Sequence, residues 1–305
     1  MSRYLLQRLV QSVGALVALS LLMFVLLRLT GDPASAILGP DATRSDIANF
    51  QHAWGLDRPL WEQYVTYMAH AATGDFGLSF RSYQPALSLV LDRLPNTAKL
   101  VAGAMLVALV VSIPLGMAAG IFRNGPIDAL ATGIAVLGQA IPGFYLGIVL
   151  ILVVGVQLRW LPTGGGSGIE SLVLPVVALG LHLAGVLARL LRSSLIECLG
   201  TDYVRTARGK GLTETSVMAR HVMKNAALPV LTVLGLQIGS LFGGAIVTEN
   251  VFAYPGMGLL LSQAISHRDF AVLQAAVLMI GAVVIIVNLA TDVAYSYLDP
   301  RIRYT

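Results

Sequence analysis

A chain of 305 residues in which 56% are hydrophobic and only 12% charged, with a mean hydropathy of +0.77, is not an ordinary soluble domain. The formal net charge of +4 is not accompanied by any basic face interleaved with stacking aromatics, so nucleic acid is not an expected partner. A single cysteine, Cys198, excludes an internal disulfide and reads as a small packing residue.

A bilayer core about 30 Å thick takes about 20 apolar residues per helix. Six runs qualify: Leu9–Leu27, Leu100–Phe122, Ala129–Leu158, Ser171–Ala188, Ala226–Thr248 and Phe270–Thr291, none of which contains Asp, Glu, Lys or Arg. They are continuous and rich in Leu, Val and Ala, whereas barrel strands would alternate over about ten residues. The expected fold class is therefore an all-α integral membrane protein with six transmembrane helices. The division expected is 1–29 for the N-terminal tail and first span, 30–97 for an extramembrane segment, and 98–305 for a core of five spans carrying a basic segment at 201–229.

The first run follows Arg3 and Arg8, and Ala34-Ser35-Ala36 has a faint likeness to a signal-peptidase site. Its apolar stretch is longer than a typical leader core and is expected to be a retained anchor. In the segment that follows, Trp61, Tyr64, Val65, Met68 and Ala72 recur at helical spacing, between turns at Gly55–Pro59 and Gly74–Gly77.

In the second run Gly116 and Gly120, and in the third Gly143 and Gly147, suit close helix packing, while Pro142-Gly143 interrupts the long third run. Gly164-Gly165-Gly166-Ser167-Gly168 lacks the Lys-Ser/Thr of a phosphate loop and reads as a flexible turn. His182 is the strongest polar outlier within the spans: either a neutral His bonded to a neighbouring helix or a contact in a translocation path. Gln139, Gln237 and Asn288 read as helix glue.

Between the fourth and fifth runs, the segment from Asp202 to Pro229 carries Arg205, Arg208, Lys210, Arg220 and Lys224. Thr213 can cap a short helix in which Val217, Met218, His221 and Val222 share one side. Gly209 and Gly211 permit a sharp approach to it. A short helix lying along the membrane with an apolar face and a basic rim can insert into a groove on a cytosolic partner. In the fifth run Gly235, Gly239 and Gly243 form a flat face, suited equally to a subunit interface or to the wall of a path. Beyond it, Glu249, His267, Arg268 and Asp269 form a polar set on the other side of the membrane.

The terminal segments with the loops 123–128 and 189–225 hold 12 of the 20 Lys/Arg. By the positive-inside rule that side, with both termini, is cytoplasmic, and 30–97 is external. The histidines show no metal-ligand spacing, and no metal site, catalytic constellation or cofactor-binding motif is expected.

The motif Tyr203-Val204-Arg205-Thr206-Ala207-Arg208, Gly209-Lys210-Gly211-Leu212, Arg220-His221, Asn225-Ala226 and Leu228-Pro229 resembles the cytoplasmic motif of importer permeases. Arg205 in place of the usual Glu, and the longer Gly-to-Pro separation, match the peptide/nickel branch. In order along the chain, Gly31-Asp32-Pro33, Gly55-Leu56-Asp57-Arg58-Pro59-Leu60, Gly74-Asp75-Phe76-Gly77, Arg93-Leu94-Pro95-Asn96-Thr97, Glu249-Asn250-Val251-Phe252, Pro255-Gly256-Met257-Gly258, Arg268-Asp269 and Asp299-Pro300-Arg301-Ile302-Arg303 extend the likeness over nearly the whole length. The chain resembles the first permease subunit of the peptide/nickel family of binding-protein-dependent ABC importers, with a type I permease fold.

That resemblance implies a non-catalytic subunit of a bacterial inner membrane, surrounded by lipid. Its implied partners are a second homologous permease in a heterodimer, two cytosolic ATPases that bind ATP and Mg, and an external substrate-binding protein. It implies ATPase coupling through Arg205, Ala207, Gly209, Gly211, Leu212, Arg220, His221, Asn225 and Pro229. His182, Gly235, Gly239 and Gly243 are candidates for the path or subunit interface, and Glu249, Arg268 and Asp269 for an external gate or binding-protein contact. Di- or oligopeptides and nickel or metal chelates both remain open as cargo. A secondary transporter or a membrane-embedded enzyme is the alternative class.

Overall fold

A computed structural model describes residues 2–29, 38, 42–53, 55–166 and 168–298, with side chains from Gln7 to Asp292 within those ranges. Its helices are α1 (Ser2–Leu29), α2 (Arg44–Ala53), α3 (Leu60–Ala72), α4 (Ala86–Ile121), α5 (Pro126–Ala140) and α6 (Gly143–Gln157, whose last seven residues are a π-helix). Then follow α7 (Ile169–Leu199), α8 (Asp202–Gly209), α9 (Glu214–Val251), α10 (Met257–Ser266) and α11 (Phe270–Leu298). Among the described residues there is no strand, only an isolated bridge between Leu78 and Pro85.

Five helices are long and apolar enough to span a membrane, and a sixth span exists if α5 and α6 count as one. Those two meet at a 99° bend across Ile141-Pro142. Proline has no N–H to continue the α5 ladder and disfavours a helical residue before it, so the break falls where the sequence places it. Two differences stand against the expected boundaries. The motif Arg93–Thr97 lies inside α4, which begins at Ala86 and not near Leu100. A helix at Arg44–Ala53 also appears, opened by Thr43, whose hydroxyl and backbone N–H both donate to Asp46 Oδ2. The motifs at 31–33 and 299–303, together with Ala34-Ser35-Ala36, Ser167 and the Arg3 side chain, fall outside the described residues.

The chain divides into two compact units. The first comprises residues 1–95, 256–289 and 300–305, and the second 96–255 and 290–299. In this division α10 and most of α11 group with the N-terminal segment, where the sequence reading sets them in the span 98–305. In the first unit Ala264, Val272, Ala275 and Ala276 close on Leu27, Ala86, Val90 and Met257 to make a buried core. Phe24, Tyr64 and Tyr67 gather beside it, with Tyr64 Oη within 2.8 Å of the buried Ser20 hydroxyl. Only 11% of the apolar window of α1 is buried, so most of that helix presents its side chains outward, as a lipid-facing anchor would.

In the second unit α7 is the central element, with Leu183, Leu187, Leu191 and Leu195 at 0–2% exposure. Close backbone approach holds its neighbours. A Cβ on Gly180 would sit 2.6 Å from Ala104 O of α4, and one on Gly185 would sit 2.3 Å from Ala135 O of α5. Where lipid supplies no hydrophobic drive for association, such contact between small residues supplies the packing. Gly116 and Gly120 serve the same purpose against Leu191 and Leu195, and Gly147 against Phe252, as intramolecular packing.

Candidate functional site

The basic segment folds as a clasp. In α8, Val204 and Ala207 point inward and are buried, as are Val217, Val222 and Ala226 of α9. Around them Arg205, Arg208, Lys210, Gly211 and Leu212 stay exposed. Ala207, expected among the surface coupling residues, is thus a packing residue at 5% exposure.

The turn between α8 and α9 is fixed by Gly211 at φ +76°, a left-handed conformation that costs other residues about 1–2 kcal/mol. Gly209, in contrast, remains within α8, and the sharp turn rests on Gly211 alone. Thr213 caps α9, its Oγ1 accepting from the Ser216 N–H at 3.4 Å. Across the turn Arg208 donates from Nε to Glu214 Oε1 at 2.8 Å and from Nη2 to Oε2 at 3.1 Å. Both groups are exposed, so the fork orients the turn and adds little stabilisation.

The short helix expected after Thr213 does not end before the span. It passes through a π-turn at Met218–Val222 directly into the rest of α9. Asn225 Nδ2 donates to His221 O at 2.8 Å and to Tyr203 Oη at 3.2 Å, tying the π-turn to α8. Arg220 and Pro229 are exposed, and His221 is half-buried. Any displacement of α8 therefore bears on a helix that continues through the membrane region.

A groove runs between α7 and α9. One part, about 430 Å³, is lined by Leu179, His182 and Leu183 of α7, Gln237, Ser240 and Gly244 of α9, and Phe144 of α6. A second, about 470 Å³, is lined by Thr132, Val186, Arg189, Arg192, Ser193 and Val233. His182 is exposed and forms no hydrogen bond among the described residues, so its expected bond to a neighbouring helix is not made. Gln237 accepts from Ser240 within α9 at 3.2 Å and does not bridge helices.

At about 100° per residue, the α9 groove residues share one direction, and Gly235, Gly239 and Gly243 are centred about 140° from it. A Cβ on Gly243 would meet nothing, while the adjacent Gly244 is the residue that faces Leu179, at 3.0 Å.

Glu249 and Asp269 are not free surface carboxylates. Glu249 is fully buried and accepts from Thr97 Oγ1 at 2.6 Å, while the neighbouring Asn96 Nδ2 donates to Pro255 O at 2.9 Å. Two motifs some 150 positions apart thus lock one corner of the second unit. In the first unit Asp269, at 5% exposure, accepts from Ser79 Oγ at 2.5 Å and from the Val272 N–H at 3.3 Å, capping α11. Arg268 adopts φ +53°, and Arg81 donates to His267 Nε2 beside it.

Sequence reasoning passed over Asp128. It accepts Arg192 Nε and Nη2 at 2.6 and 2.7 Å, Thr132 Oγ1 at 3.0 Å and the Asn124 N–H at 2.9 Å, joining the start of α5 to α7. The signal available was an acid immediately before one apolar run and an Arg four residues past the end of another.

Residues 112–304 match the family described as binding-protein-dependent transport system inner membrane component, and residues 1–101 match its N-terminal domain. The chain belongs to that family. It is 41% identical, over 305 residues and 100% of both chains, to the glutathione transport system permease protein GsiC of Escherichia coli (strain K12), and equally to that of Salmonella typhimurium (strain LT2). Its fold is that of two solved transporters. The MetNI methionine ABC transporter in an inward-facing conformation has TM-score 0.59 at 17% identity, covering 69% of this chain and 96% of the other. An amino acid ABC transporter has TM-score 0.53 at 17% identity, covering 70% and 94%.

The permease is thus a multi-pass inner-membrane subunit of an ABC importer with a type I fold, and it works with partner subunits. The peptide/nickel likeness read from its motifs agrees with the GsiC match.

Proposed function

We propose that this permease forms half of a translocation path for small peptide-like cargo, opposite a second homologous permease. Two cytosolic ATPases dock on the α8–α9 clasp, an external binding protein delivers cargo, and both termini are cytoplasmic. ATP and Mg belong to the ATPases, and no cofactor or catalytic group is assigned to this chain. Glutathione transport by the GsiC permeases supports the peptide-like cargo.

The observation that carries the coupling reading is the clasp itself. Its exposed apex of Arg205, Gly211 and the 41%-exposed Leu212 stands on a buried base of Val204, Val217 and Val222, continuous with α9. An apolar tip with a basic rim suits insertion into a groove, and the rigid base carries motion into the span. The glycine face at Gly235, Gly239 and Gly243, turned away from the groove, supports the subunit-interface arm of its two readings.

A Cβ on Gly211 would meet no atom within 4 Å, so the cost of Gly211→Val comes first from the left-handed backbone. In the complete importer in proteoliposomes, Gly211→Val is expected to retain ATP hydrolysis but lose most coupled uptake. Uptake per ATP equal to that of the parent would refute the docking role.

A further inference from the structure

The groove between α7 and α9 has largely apolar walls set with a few polar groups, and it carries one sign of charge. On α7, His182, Val186, Arg189 and Ser193 recur at spacings of four, three and four and face it in turn. Neither part is lined by Asp or Glu. Of its two arginines, Arg192 is committed to Asp128 by a bidentate fork. Arg189 is exposed and has no ion-pair or hydrogen-bond partner among the described residues.

We infer that Arg189 is a contact for a carboxylate of the cargo inside the path. The inference rests on the proposed reading of this groove as the path and gives that path a chemical preference. A guanidinium presents paired N–H donors that match a carboxylate, and the exposed Ser193 hydroxyl lines the same pocket to donate alongside. His182, about 10 Å further along α7 by helical rise, adds a second polar stop in the first part of the groove. A peptide with a free C-terminus is drawn in, and a cationic solute is opposed by an unpaired positive charge. An anionic lipid headgroup carries related oxyanion chemistry, and a change of lipid composition separates it from a peptide carboxylate.

The test is modification of Arg189 by phenylglyoxal in the complete importer in nanodiscs, followed by peptide mass spectrometry, with exposed Arg159 as internal control. N-acetyl-trialanine is expected to slow modification of Arg189 at least about threefold, while N-acetyl-trialanine amide leaves it unchanged and neither affects Arg159. Equal protection by both peptides, or by neither, would overturn the inference. So would protection that depends only on replacing phosphatidylcholine by phosphatidylglycerol, which would make Arg189 a lipid contact. Uptake separates the two levels: Arg189 protected by the carboxylate in an importer that transports no peptide refutes the path reading and leaves the site standing. Peptide transport with unprotected Arg189, or with uptake by Arg189→Gln equal to the parent, refutes the site alone.

Discussion

At the scale of single residues, the permease places polar groups where their partners can be named. Asp128 is nearly buried and receives four hydrogen bonds, two of them from Arg192. Asp128→Asn leaves the guanidinium without its counter-charge, and a clear loss of stability is expected. Thermal unfolding in detergent would show it, with Asp128→Asn/Arg192→Met recovering part of the loss. Tyr67 behaves oppositely: its hydroxyl is buried without a hydrogen-bond partner among the described residues, and burial, with Tyr64 nearby, pushes it up to about 12. Tyr67→Phe is expected to stabilise the first unit by about 1 kcal/mol. The unfolded phenol ionises near pH 10 and the folded one near 12. The tyrosine therefore makes stability fall as pH rises from 10 to 12, a slope that Tyr67→Phe should remove. Neither Asp128 nor Tyr67 stands out in the sequence, because burial and pairing are properties of neighbours brought in by the fold.

At the scale of elements, the apolar runs already mark the spans, and Pro142 marks the break between α5 and α6. Thr213 was legible as a cap because its hydroxyl acts on its own helix. The residues that read poorly were those whose role depends on distant chain. Arg93–Thr97 looks like a turn motif, yet Asn96 and Thr97 are helical and hold the Glu249–Pro255 corner. Glu249 and Asp269, charged and beside loops, read as surface groups until Thr97 and Ser79 close over them. The spacing of Gly180 and Gly185 hides their use, since one faces α4 and the other α5. Gly185→Ala must push Ala135 O away from 2.3 Å and is expected to cost about 1–3 kcal/mol. Lower yield of monodisperse protein in mild detergent would report it, with Gly209→Ala, at an open position, as the neutral comparison.

At the scale of the whole molecule, the chain holds an exposed basic clasp and a groove lined by arginine but by no acid. It contains no P-loop of its own, and on the proposed reading the energy for transport is supplied through the clasp. Binding of ATP and of loaded binding protein would then bias inward- and outward-facing states of the assembled importer. The most direct measurement is purification of the tagged permease from its native membrane in mild detergent, with mass spectrometry of the proteins that accompany it. A second multi-span permease and P-loop ATPases are expected with the parent chain, and loss of the ATPases alone when Arg205 and Leu212 are both replaced by Asp. A homogeneous chain without any ATPase, or ATPase recovery unchanged by those replacements, would contradict the account.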